Sequence, residues 1–211
     1  MTPWLVVPTL GNRDGSLVPL LRDAGMPSVV IVTGKSGLSQ YVLDGGARAA
    51  LRDISGTPNI HRWWNRGIDH AVRHGADVVV VCNDDVQAAP GALLELAAHI
   101  EAGEPHSPML VWPDDPAHAA PRVSAITGYC FALDPVRIRP DESFAWWYGD
   151  NDLELRARAM RPDYGVQAVS VPGITHLRTG TTYDRPVQHL INADRELFAR
   201  RYPDLMGGWK P

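Results

Sequence analysis

Apolar residues in this chain fall into short unbroken runs separated by stretches with helical spacing. Trp4–Pro8, Val29–Val32 and Val78–Cys82 are such runs, and the third contains four consecutive valines, Val78 to Val81. A valine run without polar alternation predicts a central, parallel strand covered on both faces. Between these runs the pattern changes period. A helix is expected around Ser16 to Ala24, while residues 36 to 58 give weak signals. In IHRWWNRGIDHAVRHG, residues 60–75, Trp64, Ile68 and Ala71 recur on one helical face. Pro90 and Gly91 open a further helix, which Gly103 is expected to close. Strand–helix alternation of this kind predicts an α/β fold with a right-handed, mostly parallel central sheet flanked by helices.

The second half reads differently. Residues 104 to 122 are rich in proline and hold one short strand, MLVW, ahead of the loop PDDPAHAAPR. SAITGYCFALD, residues 124–134, is a further strand candidate, and DNDLELRARAMR, residues 150–161, a helix with an acidic first turn. GVQAVSVPGITHL reads as a short strand pair leading to His176, and Arg185 to Tyr202 as a C-terminal helix. No internal repeat or second domain boundary is visible. The expectation is a single domain over 1–211, with a half at 1–103, a half at 104–184, and a helix and tail at 185–211.

Bulk properties narrow the function classes. The chain has 211 residues with a net charge of −4, which gives no support to nonspecific nucleic-acid binding. No apolar run spans a bilayer and the N-terminal residues lack a signal-peptide pattern, so a soluble cytoplasmic protein is expected. Cys82 and Cys130 are read as reduced core thiols, too few for a structural zinc site.

The valine strand ends in Asn83, Asp84 and Asp85. Ligands of open α/β sheets bind beyond the carboxyl ends of such strands. Adjacent carboxylates there repel each other unless a cation or donor compensates. A hard divalent metal carrying a phosphorylated ligand is one explanation. An Asp-rich turn that caps a helix is the other. Two later segments carry comparable groups: GDNDLELR at 149–156, and His176 in THLRTGTT. Asp150 and Asp152 there also suit simple helix capping.

Taken in order, these segments resemble an inverting glycosyltransferase of family 2, with the GT-A (Rossmann-like) fold. VVPTLGN resembles the family's first strand and nucleotide loop, and NIHRWWNRGIDHA its Asn-containing helix before the metal strand. Asn83-Asp84-Asp85 matches its Asp-X-Asp motif, and Gly149-Asp150-Asn151-Asp152-Leu153 with Arg156 its Glu-Asp-X-Asp-Leu…Arg signature. DESFAWWY resembles the lead-in to that signature. His176 with Thr179, Gly180 and Thr181 resembles its late His motif. The likeness covers roughly residues 3 to 182. Two positions depart from it. Thr33-Gly34-Lys35-Ser36-Gly37 stands where the family carries acidic nucleoside contacts, and Gly149 stands where it carries Glu.

The resemblance implies transfer of a sugar, with inversion, from a nucleoside-diphosphate sugar to a hydroxyl acceptor. It implies Mn²⁺ or Mg²⁺ held by Asp85 and His176, and the imidazole ligand favours Mn²⁺. Donor contacts are implied at Pro8, Thr9, Asn12, Asn65, Asn83, Asp84 and Arg178. Asp150 is implied as the catalytic base, and Asp152 as a residue that positions the helix, the acceptor or the Asp150 side chain, with Arg156 a candidate to hold Asp152 across a helical turn. Trp146 and Trp147 are candidates for an acceptor-stacking wall, or for core and half-buried packing. The donor nucleotide stays open among UDP, GDP and dTDP. The acceptor stays open among a glycan, a protein, a small molecule and a modified nucleobase. A noncatalytic nucleotide-sugar or glycan-binding module of this fold, or a nucleotidyltransferase, are the rival functions.

Overall fold

The structure, a computed structural model, describes residues 1–11, 14–33, 37–114, 126, 128–177 and 187–206, without the side chains of Asp14 and Met206. The first half forms β1 (Pro3–Thr9), α1 (Asp14–Asp23), β2 (Ser28–Val32), α2 (Leu38–Asp44), β3 (Ala49–Arg52), α3 (Ile60–Arg73), β4 (Val78–Cys82), β5 (Val86–Ala88) and α4 (Ala92–Ala98). The second half adds β6 (Leu110–Pro113), β7 (Cys130–Leu133), α5 (Gly149–Met160), β8 (Val166–Val169), β9 (Ile174–His176), α6 (Gln188–Arg201) and α7 (Pro203–Met206).

Seven strands make one sheet in the order β3-β2-β1-β4-β7-β6-β8, so the valine strand β4 lies in the middle. β1, β2, β3 and β4 run parallel, and β6 and β8 pair in parallel. β7 is antiparallel to both β4 and β6, which makes it the one reversed strand of this sheet among the described residues. The uninterrupted valines have a simple cause. Val78 and Val80 enter a core with Leu17, Leu20, Leu93 and Leu96 of α1 and α4. Val79 and Val81 enter a second core with Trp63, Trp64 and Ile68 of α3 and Leu153 of α5. Neither face of β4 meets water, so neither face carries a polar residue.

Several local readings need correction. Residues 36 to 58, weak in sequence, contain α2 and the edge strand β3. Helix α4 stops at Ala98 rather than running to Gly103, because His99 and Ile100 turn back onto the Leu96 and Ala97 carbonyls in i→i+3 bonds. The expected strand pair before His176 does not form as a pair. β8 extends the main sheet beside β6, whereas β9 pairs with β5 in a separate two-stranded ladder.

Cys82 and Cys130 are free, buried and directly opposite each other across β4 and β7. Among the described residues, no helix is long and apolar enough to cross a membrane.

Candidate functional site

The site is built where β1 and β4 end side by side and β7 begins. Pro8 is buried one residue before the end of β1. It lies past Val6↔Val81, the last register pair with β4, where the missing amide costs no ladder bond on that side. Thr9 donates its hydroxyl to Asp84 Oδ2 at 2.6 Å and accepts the Gly11 amide at 3.1 Å. Ser16 at the start of α1 donates to the Asp84 carbonyl at 2.8 Å. Asp84 is thereby tied to both β1 and α1, and the turn after β4 is held from two directions.

Asp85 faces a different partner. The ladder between β5 and β9 sets Val86 opposite His176, and the Leu177 amide donates to the Asp85 carbonyl at 2.9 Å. The result brings His176 Nε2 to 3.2 Å from Asp85 Oδ2, across 91 residues of sequence. The His176 ring stacks face to face on Tyr129, with centroids 4.5 Å apart and planes 4° from parallel. Asp85 Oδ1 is buried without a hydrogen-bond partner among the described residues, and so is Asn83 Oδ1. A buried carboxylate oxygen in that state is costly unless a cation or donor meets it. Among the described residues, no group of three or more His, Cys, Asp or Glu side chains converges. Asp85 and His176 thus offer one oxygen and one nitrogen, a set that fits a divalent ion keeping its other positions for phosphate oxygens and water.

Asp150 lies on the first turn of α5. Its Oδ2 accepts the Gly128 amide at 2.9 Å, and its Oδ1 the Asn151 amide at 3.0 Å. One helical turn on, Glu154 Oε2 accepts the Ile126 amide at 2.9 Å. The two carboxylates clip the backbone just ahead of β7 onto α5. Gly128 permits the approach, since a Cβ there would crowd the Asp150 carboxylate. Burial pushes the Asp150 carboxyl above the ordinary aspartate range, against the opposing pull of the Asn151 and Gly128 amides.

Asp152, fully buried, has a different set of partners. Arg156 Nε donates to its Oδ2 at 2.7 Å, as the spacing implied. Arg201 Nη1 at 2.6 Å and Tyr202 hydroxyl at 2.9 Å donate to its Oδ1. Burial and Asp152 raise the Tyr202 phenol to about 12, so it stays a donor. Asp152 therefore ties α5 to α6.

Gly149 has a packing cause. A Cβ there would overlap the imidazole of His61, which is buried against Trp64. Burial pushes His61 down to about 4, so the ring is neutral and its Nδ1 donates to the Phe144 carbonyl at 2.8 Å. A larger residue at 149 has no room while His61 stands. Gly149→Ala is expected to lose on the order of 1–3 kcal/mol of stability by overpacking. Chemical denaturation should show the loss, and His61→Ala in the same chain should recover part of it.

The two tryptophans separate. Trp146 is core, edge-on to Trp63 at 6.1 Å, whereas Trp147 is 37% exposed. Asn65 donates to the Pro140 carbonyl at 2.9 Å and to Glu142 Oε1 at 3.0 Å. It braces the segment leading to α5, and these bonds are remote in sequence from Thr9 and Asp84.

A scan against protein-family models finds no match, and neither does a search of curated proteins. Solved structures do match. Glucosyl-3-phosphoglycerate synthase from Mycobacterium tuberculosis, in complex with Mn²⁺, uridine diphosphate and phosphoglyceric acid, superposes with a TM-score of 0.68 at 14% identity. The match covers 100% of this chain and 80% of that one. The same enzyme with Mn²⁺, UDP-glucose and glycerol 3-phosphate gives 0.68 at 15% identity, over 96% of this chain and 79% of that one. The fold is GT-A. At these identities the likeness is one of fold alone.

Within the GT-A frame, Asn12 and Arg178 lie outside the described residues, as do Lys35, Thr179, Gly180, Thr181 and the loop at 115–122. Sequence reasoning missed Asp194, His61 and Tyr129. Asp194 and His61 act on backbone atoms of residues far away in sequence, which leaves no motif to find. Tyr129 sits one residue before β7, and only the reversal of β7 brings it beside His176.

Proposed function

We propose that this chain is a metal-dependent glycosyltransferase, moving a sugar with inversion from a nucleoside-diphosphate sugar to a hydroxyl acceptor. One observation carries the reading. Asp85 meets His176, His176 stacks on Tyr129, and the adjacent Gly128 amide binds Asp150. Metal-competent side chains and a carboxylate of raised proton affinity are thus linked through two consecutive residues.

Asp85 and His176 would hold Mn²⁺ or Mg²⁺, which would offset negative charge on a diphosphate leaving group. Thr9, Asn83 and Asp84 supply the neighbouring polar rim on the donor side, with Asn12 and Arg178 proposed to join them. On the acceptor side, Asp150 takes the hydroxyl proton as the acceptor oxygen bonds to the anomeric carbon. The bond from that carbon to the diphosphate oxygen breaks, and its electron pair leaves with the nucleoside diphosphate. A carboxyl above the ordinary aspartate range suits that task better than a strongly acidic one. The exposed Trp147 offers a flat face for the acceptor.

The solved structures of similar fold were obtained with Mn²⁺ or Mg²⁺, UDP and UDP-glucose, so UDP sugars are the first donors to test. The protein should be incubated with UDP, GDP and dTDP sugars, with and without Mn²⁺, while nucleoside-diphosphate release is followed. Metal-dependent release from one donor supports the reading. Metal-dependent binding without release points to a binding module of the same fold.

A further inference from the structure

We propose that helix α6 sets the position of Asp150 through the buried carboxylate of Asp194, a proposal that rests on Asp150 being the base. Asp194 is 2% exposed. Its Oδ1 accepts the Ala145 amide at 2.9 Å, and its Oδ2 accepts the Trp146 amide at 2.6 Å and the Trp147 amide at 2.8 Å. Three consecutive main-chain amides converge on one carboxylate, 47 to 49 residues away in sequence. Such a cradle satisfies a buried anion without a cation, and Asp194 makes no ion pair among the described residues.

The carbonyls of the same segment are held from the opposite side. Ile60 donates its amide to the Ala145 carbonyl at 2.8 Å, and His61 reaches the Phe144 carbonyl. Residues 144–147 are therefore gripped by α3 through carbonyls and by α6 through amides. Tyr148 follows at once with φ 64°, a left-handed conformation uncommon for a bulky residue, and then come Gly149 and Asp150. Strain of this kind persists only where the surroundings over-determine it. Beyond Asp150 the same helix grips again, because Arg201, the last residue of α6, and Tyr202, which caps it, donate to Asp152 Oδ1. Asp150 is bracketed by two attachments to α6, one on each side.

Asp194 itself touches neither the rim at Asp84 nor Asp85. Its effect is on where Asp150 stands. A displacement of about 1 Å at a reacting group can cost on the order of 10²-fold in rate. Loss of the cradle should thus lower kcat and spare donor binding.

The test uses Asp194→Asn and Asp194→Ala in the full chain. Asparagine keeps one acceptor oxygen and is the milder change, so it remains informative if the alanine variant does not fold. The expected result is a kcat lowered about tenfold in Asp194→Asn and on the order of 10²-fold in Asp194→Ala. Donor affinity, measured with Mn²⁺ present, should stay within about twofold of wild type by the same argument. Amide exchange should quicken at Ala145, Trp146 and Trp147 without quickening in β4. A folded variant with unchanged kcat, or one whose donor affinity and kcat fall together, overturns the proposal. Unchanged exchange at these three amides also overturns it, and needs no substrate. Quickened exchange in a protein whose wild type turns over no donor leaves Asp194's hold intact and counts against the transferase reading instead.

Discussion

Asp150→Asn is expected to lower sugar transfer by ~10²–10⁴, the usual worth of a positioned general base. The substitution keeps the size of the side chain and leaves an oxygen to accept the Gly128 amide, so α5 should stay in place. What it removes is the proton acceptor. Donor binding in the presence of Mn²⁺ should remain within about twofold, because Asp150 is placed on the acceptor side of the metal pair. The wild-type pH profile supplies an independent readout. The base works only when deprotonated, and burial raises its proton affinity. Activity should therefore fall, as pH is lowered, at a higher pH than an ordinary aspartate would give, and the Asn variant should lack that limb. An Asn variant retaining more than about a tenth of wild-type turnover would remove Asp150 from the base role.

Asp85→Ala should act on binding rather than on proton transfer. Losing a direct ligand is expected to weaken metal-dependent donor binding by on the order of 10²-fold or more, beyond the 10–100-fold typical of residues behind the ligands. Its effect on stability should be small in the absence of metal. The wild-type protein buries Asp85 with one oxygen unpartnered among the described residues. Removing that carboxylate relieves an unpartnered buried oxygen but also takes away the partner of His176 Nε2, so the two effects oppose and the metal-free variant should melt close to wild type. Adding Mn²⁺ with UDP should raise the melting temperature of wild type by mass action and leave the variant's unchanged. A variant that still responds to Mn²⁺ would place the metal elsewhere.

Much of the fold was legible because β4 speaks plainly. Four valines feeding two cores leave no alternation, and that pattern has one common explanation in an α/β sheet. The rim after β4, the helix at 150–161 and His176 could likewise be found in order along the chain. The illegible parts depend on partners distant in sequence. β8 and β9 are each too short to declare which neighbour they join, and one entered the main sheet while the other met β5. Gly149 looked like a departure from a motif until His61 was seen to fill the adjacent space. Asp194 is one acidic residue among 24 Asp and Glu in the chain, and nothing local distinguishes it from a solvated helix face. Its meaning comes from three amides that the linear sequence does not reveal.

The reversal of β7 bears on how the chain is made. A ribosome delivers β1 to β4 first, and at that stage β4 has β1 on one side and an open edge on the other. Its pairing partner, Cys130–Leu133, begins 48 positions after Cys82. Until then an all-apolar strand presents unpaired amides and carbonyls, the kind of edge that recruits other strands. The nascent first half is accordingly the aggregation-prone stage of this protein's synthesis, and arrival of β7 closes the valine edge at the same moment that it delivers Tyr129 to the rim.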